Sequence, residues 1–146
     1  MQDQEKLEQM LAELNAYKEQ SELIQQEINN VQQTIAEVRT LETTIDDIKN
    51  KEHFEALVPV GAGSFMNAEI KNEDKIIMSV GSGVAISKNY EEAKETAESQ
   101  KKQLEDSLDK LYKNLQQISD VVAQLSPQAE QLMMKLQQSG QWKKTF

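Results

Sequence analysis

Histidine and cysteine, the usual residues of zinc sites and of many catalytic sites, are scarce in the sequence. His53, in the segment NKEHFEA, is the single histidine, and there is no cysteine. A zinc-type site needs several nitrogen or sulfur ligands, so one isolated histidine does not make one. A catalytic nucleophile also needs a base and an orienting group beside it. We therefore interpret His53 as an exposed linker residue, and we predict that the chain is not an enzyme and binds no metal or cofactor.

Neighbouring carboxylates and a glycine-rich turn are the other candidates for chemistry. Asp46–Asp47 and Glu91–Glu92 are adjacent pairs. Acid–base catalysis needs facing carboxylates in different environments, whereas adjacent helix residues point about 100° apart. The loop GAGS at residues 61–64 lacks the GxxxxGK[ST] motif of a phosphate-binding loop, and no helix pattern follows it. We therefore interpret the carboxylates as solvated and the glycines as turn residues with positive φ.

Composition limits the classes of partner. The chain has 146 residues, of which 38% are hydrophobic and 5% aromatic, and its formal net charge is −9. This charge argues against nucleic acid or an anionic membrane as the main partner. No stretch approaches the roughly 20 apolar residues of a membrane span, and no signal-peptide pattern is visible. The absence of cysteine is compatible with a reducing compartment. We expect a cytoplasmic protein.

Two long amphipathic segments make up most of the chain and position its other residues. In the first, apolar residues recur at alternating steps of three and four, which predicts a heptad seam along one helix. No Pro or Gly interrupts it, and Leu7 to Ile48 spans about 60 Å. At Val38 the rhythm slips to Leu41, which locally overwinds a coiled coil. The seam comprises Leu7, Met10, Leu14, Tyr17, Ser21, Ile24, Ile28, Val31, Ile35, Val38, Leu41, Ile45 and Ile48.

The second amphipathic segment starts at Asn89, a suitable N-cap followed by Glu91 and Glu92 near the positive end of the helix. Pro127 should kink this helix without ending it, because the seam keeps its phase. Gly140 suits the C′ position. The seam comprises Ala93, Ala97, Gln100, Leu104, Leu108, Leu111, Leu115, Ile118, Val122, Leu125, Ala129, Leu132 and Leu136.

The two segments have similar lengths and seams, and we expect them to fold back on each other as an antiparallel coiled coil. The second seam is irregular between Leu104 and Leu108. If the chain reverses at its middle, this irregularity lies near the slip from Val38 to Leu41, which supports antiparallel pairing. We divide the single domain into helix 1–52, a β region 53–88, helix 89–140 and a tail 141–146.

The middle region contains four short strand candidates: LVPV, SFMNAEI, KIIMSVG and GVAISK. GAG and GSG separate the members of each pair, which predicts two hairpins. Pro59 cannot donate to a ladder, so its strand should be an edge or contain a bulge. Four short strands leave edges and apolar faces exposed, which predicts association with partner chains. The residues expected to mediate assembly are Leu57, Val58, Val60, Phe65, Met66, Ala68, Ile70, Ile76, Met78, Val80, Val84 and Ile86.

LVPVGAGSFMNAEI and KIIMSVGSGVAISKNYEEA, placed between two coiled-coil segments, together with LSPQAEQL, resemble the prefoldin family, specifically its archaeal α-type subunit. The resemblance implies a mainly α fold with two central β-hairpins that join a shared β-barrel body. It further implies a hexamer of two α and four β subunits with projecting coiled coils. The tips of these coiled coils would hold unfolded polypeptides and pass them to a group II chaperonin without ATP.

The resemblance assigns client binding to the free tip of the coiled coil. The residues expected there are Leu7, Met10, Leu11, Leu14, Leu132, Met133, Met134 and Leu136. From the sequence alone, plain coiled-coil core is the more common role for such residues. Leu11, Met133 and Met134 lie off the seam, and methionine suits a surface that meets many partners. The tail QWKKTF matches no family motif, so a role for Trp142 and Phe146 stays open between a disordered tail and a client contact.

Two rival functions remain. A structural coiled-coil scaffold would show the same helices without binding clients, and suppression of aggregation would separate the two. An enzyme or nucleotide-binding module would be detected by a nucleotide titration.

Overall fold

The structure, a computed structural model, describes residues 2–140, so the tail with Trp142 and Phe146 lies outside the described residues. Two long helices flank two antiparallel hairpins, as predicted. The elements are α1 Gln2–Ile48, β1 His53–Gly61, β2 Ser64–Lys71, β3 Ile76–Gly81, β4 Val84–Lys88 and α2 Tyr90–Gln138. No helix in this part of the chain is both long and apolar enough to cross a membrane.

The ends of α2 follow the predicted signals. Asn89 Oδ1 accepts a hydrogen bond of 2.8 Å from the backbone N–H of Glu92, so Asn89 is the N-cap. At the other end, Gly140 has φ +73° and its N–H donates to the carbonyl of Gln137 at 3.2 Å. The helix continues through Pro127, as the unbroken phase of the seam predicts.

The chain divides into two compact units. The first contains α1 up to Gln32 and α2 from Asp106. Within it, Asp3 pairs with Lys135 at 3.4 Å, and Gln32 Nε2 donates to the Tyr112 hydroxyl at 2.7 Å. Early residues of α1 thus contact late residues of α2, so the helices are antiparallel here.

The second unit, Gln33–Glu105, contains the remaining helix segments and both hairpins. The same antiparallel order holds within it. Three ion pairs join its helices: Arg39–Glu105 at 3.9 Å, Glu42–Lys101 at 3.1 Å and Asp46–Lys94 at 2.6 Å. The first of these pairs brings the two irregular parts of the seams together, as the sequence predicts.

The predicted seams are buried or half-buried with one exception. Ile28, Ile45, Leu7 and Leu136 have at most 1% of their surface exposed. Gln100 was expected in the seam but is exposed, and the half-buried residue is its neighbour Lys101.

Ion pairing is the physical reason for this difference. The ammonium of Lys101 lies 3.1 Å from Glu42 on α1 and 3.0 Å from Glu98 on its own helix. Hydrogen bonds to Glu98 and then to Glu42 raise the pKa of Lys101, so the lysine stays charged in the seam.

The two hairpins share one design. β1 pairs with β2 from His53↔Lys71 to Pro59↔Phe65, and an irregularity between Pro59 and Gly61 confirms the expected bulge. β3 pairs with β4 in the same way, with an irregularity between Ser79 and Gly81. The two-residue turns 62–63 and 82–83 have positive φ at both positions, typical of a type I′ turn.

β1 begins four residues before the strand candidate LVPV. His53 is its first residue and pairs with Lys71, so the interpretation of His53 as a linker residue was wrong, although its side chain is exposed. Phe54 pairs with Ile70 and Ala56 with Ala68. The apolar alternation therefore extends back from Leu57, and this pairing prolongs the strand.

The hairpins do not pair with each other within the described chain. β1–β2 and β3–β4 are separate two-stranded sheets, so residues 2–140 form no closed barrel. The start of α2 and the end of α1 enclose a small core that we call the base cluster. It consists of Ile45, Met78, Tyr90 and Ala93, with Leu41, Ile48 and Ile76 packed against it.

Candidate functional site

One face of hairpin 1, formed by β1 and β2, is apolar along its whole length. Side chains alternate between the faces of a strand, and paired residues share a face. The pairs on this face are Phe54↔Ile70, Ala56↔Ala68 and Val58↔Met66, and we call them the hairpin 1 apolar face. Met66 is 62% exposed, Val58 42% and Ile70 39%. A face of this composition left in water is a candidate contact for another chain.

Phe54 and Ala56 belong to this face but were missed from the sequence, where the strand was placed from Leu57 onward. The alternation FEALV was the available signal, since it places three apolar residues on one side.

The opposite face of hairpin 1 changes character along its length. Near the turn it exposes Leu57 (65%) and Phe65 (58%). Nearer the helices it is charged, and His53 Nε2 lies 3.6 Å from Glu69 Oε1. The apolar end of this face adds to the surface that a partner could cover.

Hairpin 2, formed by β3 and β4, is partly covered by the chain itself. Met78 is 9% exposed within the base cluster, and Ile76 packs against it. Both were expected at a subunit interface, and the structure places them against the helices. Val80, Val84 and Ile86 are 52%, 54% and 45% exposed. They remain available to a partner.

Ile77 was missed from the sequence, although it is the most exposed large apolar residue of the hairpins at 76%. It faces away from the base cluster because it neighbours Met78 in the strand. The run IIM could have shown this, since two consecutive isoleucines cannot both face the helices.

The tip cluster is formed where α1 begins and α2 ends, and consists of Leu7, Met10, Ala129 and Leu136. The partly buried residues packed against it are Leu11, Leu14, Leu125, Leu132 and Met133. The structure thus brings seven of the eight expected client-binding residues together.

Individual members differ in what they can offer a client. Leu7 and Leu136 are 0% and 1% exposed, so they form the core of the tip. Met134, which is not packed in the cluster, is 60% exposed. Leu11 and Met133, although off the seam, pack against the cluster. Client binding by all eight stays a prediction.

Two grooves lie on the surface of the first unit. One, of about 260 Å³, lies at the tip and is lined by Lys6, Met10, Gln128, Gln131, Leu132 and Lys135. The second, of about 480 Å³, is lined by Leu14, Lys18, Ser21, Leu115, Ser119, Val122 and Ser126. Ser21 is the polar residue of the first seam, and its small side chain helps to explain this groove.

The described residues show no group of three or more His, Cys, Asp or Glu side chains placed to hold a metal ion. The distinctive features are instead two exposed apolar hairpins and a helical tip. They define a class of protein: a coiled-coil subunit built to associate with other chains.

The comparisons identify the family. A family model described as "Prefoldin subunit" matches residues 17–138, and the chain belongs to the prefoldin family. It is 54% identical to the prefoldin subunit alpha of Methanobrevibacter smithii, over 90% of each chain. It is 41% identical to that of Methanosphaera stadtmanae, over 91% of this chain and 96% of the relative. These matches agree with the archaeal α-type subunit that the sequence resembles.

A solved structure supports the same family. A chain of the filamentous prefoldin from Methanocaldococcus jannaschii, determined by cryo-electron microscopy, is similar with a TM-score of 0.51 and 29% identity. The match covers 83% of this chain and 95% of that chain. The family supports a chaperone-type role and assembly with other prefoldin subunits.

Proposed function

We propose that the chain is a subunit of an ATP-independent holdase chaperone that captures unfolded polypeptides at its coiled-coil tip. In this proposal, two copies and four prefoldin β subunits form a hexamer, which delivers its clients to a group II chaperonin. The tip cluster carries the proposal: a buried centre is surrounded by half-buried apolar side chains, with Met134 60% exposed beside it. Such a surface can cover apolar client segments.

The mechanism depends on many weak contacts. The accessible apolar surface of one tip is small, so one tip would bind an unfolded segment weakly. Several tips acting on one client would raise the overall affinity through their high effective concentration. Flexible methionine side chains suit clients of different sequence. Holding requires no bond to be made or broken, so the proposal assigns no catalytic residue, metal or cofactor.

The hairpins support the assembly part of the proposal. Unpaired strand edges and exposed apolar faces are unfavourable for a chain in water and become favourable when partner strands cover them. Exposed side chains such as Met66 and Ile77 would then be buried between subunits. We propose that these contacts close the shared β-barrel body, and that the complex works in the cytoplasm, consistent with a chain that has no cysteine.

The experiment compares two exposed apolar side chains of the first unit. Met134→Ser removes apolar area at the tip, and Leu23→Ser removes it from a residue 66% exposed in the middle of α1's part of this unit. Each is assembled with β subunits and tested for suppression of aggregation of a diluted, denatured protein. We expect Met134→Ser to weaken suppression and Leu23→Ser to leave it unchanged. Equal suppression by parent and both variants at every hexamer-to-client ratio would remove Met134 from the client surface.

A structural scaffold is the second candidate, favoured by the burial of Leu7 and Leu136. These side chains are already covered by the chain itself, as in any stable coiled coil. A scaffold would form the hexamer but would not suppress aggregation. The parent complex in the same experiment therefore decides between holdase and scaffold.

A further inference from the structure

Asn72, the first residue after β2, joins separate parts of the second unit through its side chain. Its Nδ2 donates to the carbonyl of Ile48 at 2.8 Å and to that of Lys51 at 2.6 Å. Its Oδ1 accepts from the Tyr90 hydroxyl at 2.8 Å and from the backbone N–H of Asp74 at 3.0 Å. One amide thereby links the end of α1, the connection to β1 and the start of α2.

These bonds use the whole hydrogen-bonding capacity of the amide. An asparagine side chain has two N–H donors and an oxygen that accepts two bonds, and all four are engaged. Aspartate has no donor for the two carbonyls, and alanine replaces none of the four bonds. Among the side chains of this length, only asparagine can both donate to the two carbonyls and accept the two other bonds.

The backbone around Asn72 reinforces this link. The N–H of Asn72 donates to the carbonyl of Glu52 at 3.0 Å, directly before β1. Asp74 has φ +54°, and its Oδ1 accepts from the backbone N–H of Tyr90 at 3.3 Å. Burial raises the pKa of the Tyr90 hydroxyl, and the Asp74 carboxylate raises it further, so this hydroxyl keeps its proton and donates.

The two hairpins are attached to the helices by different forces. Hairpin 2 places Met78 and Ile76 in or against the base cluster. Hairpin 1 contributes no side chain to that cluster within residues 2–140, and it pairs with no strand of hairpin 2 there. The hydrogen bonds of Asn72 hold both ends of hairpin 1: Glu52 before β1 and Asn72 after β2.

We propose that Asn72 is a positioning residue that fixes hairpin 1 relative to the helices and so presents its apolar face to partner subunits in one arrangement. The inference rests on the proposed assembly through the hairpins. A hairpin that is already oriented loses less conformational freedom when a partner covers it, which strengthens association. Without the network, the same apolar residues would be present but spread over many orientations.

The first measurement follows hairpin orientation in the isolated full chain. Because the chain has no native cysteine, spin labels can be attached specifically at introduced cysteines. One pair, at Asp47 and Asn67, reports hairpin 1 relative to α1, and a second pair, at Asp47 and Ser87, reports hairpin 2. All three positions are exposed. We expect Asn72→Asp to broaden the first distance distribution at least about twofold and to leave the second narrow, because apolar packing holds hairpin 2.

This contrast separates positioning from general loss of stability, which would broaden both distributions. Asn50→Asp is the matched control, because Asn50 is exposed in the same connection and, in the described structure, its side chain makes no hydrogen bond. Tyr90→Phe removes one bond to Asn72 and keeps the ring in the base cluster. It tests the network even if Asn72→Asp fails to fold.

The second measurement is the concentration of a prefoldin β subunit from the same organism that gives half-maximal hexamer by mass. We expect this concentration to rise about tenfold or more for Asn72→Asp and about threefold for Tyr90→Phe, with no change for Asn50→Asp. Unchanged distances, or broadened distances with unchanged assembly, would overturn the inference. If the parent chain itself does not assemble with β subunits, the proposed function fails, whatever the distances show.

Discussion

The helices and the hairpins differ in the solvent exposure of their apolar side chains. Along the helices, seam residues such as Ile28 and Ile45 are at most 1% exposed, because each helix covers the other. In the hairpins, Met66 and Ile77 are 62% and 76% exposed. The helical seams are covered within one chain, whereas most apolar side chains of the hairpins remain exposed. Side chains that are buried within the chain and side chains that are left exposed therefore lie largely in different segments.

Removing the hairpins is expected to have the largest effect. A variant lacking residues 57–88, with a short turn joining the helices, should remain helical by circular dichroism but form no hexamer with β subunits. The reason is that the exposed apolar faces and strand edges are deleted. Analytical ultracentrifugation measures the mass. Normal co-assembly of this variant would place the association surface on the helices.

A point change on the hairpin 1 apolar face gives a milder form of the same test. Met66→Lys adds a charge to a side chain that is exposed in the free chain, so the free chain should keep its melting temperature while assembly is lost.

A charge in the helical seam should affect stability instead. Ile28→Asp buries a carboxylate without a partner and should lower the free energy of unfolding by about 3–5 kcal/mol. Glu27→Ala, at the exposed neighbouring position, should change it by less than about 0.5 kcal/mol. Thermal or denaturant unfolding measures both. Equal destabilisation of the two variants would contradict the heptad assignment.

Truncation at the tip should divide its residues into core and surface. Leu136→Ala removes a side chain that is 1% exposed and should cost about 2–4 kcal/mol. Met134→Ala, two residues earlier, should leave the unfolding free energy nearly unchanged. Met133 packs against the tip cluster, so Met133→Ser should fall between them. The sequence alone predicts that Met133 and Met134 behave alike, because both lie off the seam. An equal decrease in the unfolding free energy for both variants would support that prediction and contradict the packing described here.

The smallest expected effect is on the stability of the fold at acidic pH. Hydrogen bonding to Lys94, followed by the charge of Lys94, lowers the pKa of Asp46 below its usual 3.8. Because the folded pKa is depressed, this pair stabilises the fold above pH 3.8, and its contribution is lost as the pH falls below that value. Asp46→Asn should therefore flatten the fall in melting temperature between about pH 4 and pH 2 slightly. Asp47→Asn, at an exposed position without an ion pair in the described structure, is the control.

Much of this architecture follows from local periodicity. The heptad spacing predicts which helix positions are buried, because the geometry of the helix places them on one side. The glycine turns and the bulge after Pro59 follow from backbone sterics in the same way. These features depend on residues close in sequence, and the structure confirms them.

The errors and omissions arise where distant residues decide the outcome. Lys101 replaces Gln100 in the seam because Glu42, on the other helix, attracts it. Asn72 lies between the strand candidates SFMNAEI and KIIMSVG, and its hydrogen bond to the carbonyl of Ile48, the last residue of α1, was not predicted. No local pattern reveals such partners. The tip residues were predicted from the family resemblance, and their division into core and rim required the packing of both helices.

The pairing of Asp3 with Lys135 has a consequence for how the chain folds. These residues lie almost at opposite ends of the described sequence, so their contact closes a very long loop. The hairpins need only local contacts, and the helices can then pair progressively from the turn-back outward, like a zipper. The tip should close last and open first. Amide hydrogen exchange would then be fastest at the ends of the helices, where a transient parting would uncover Leu7 and Leu136.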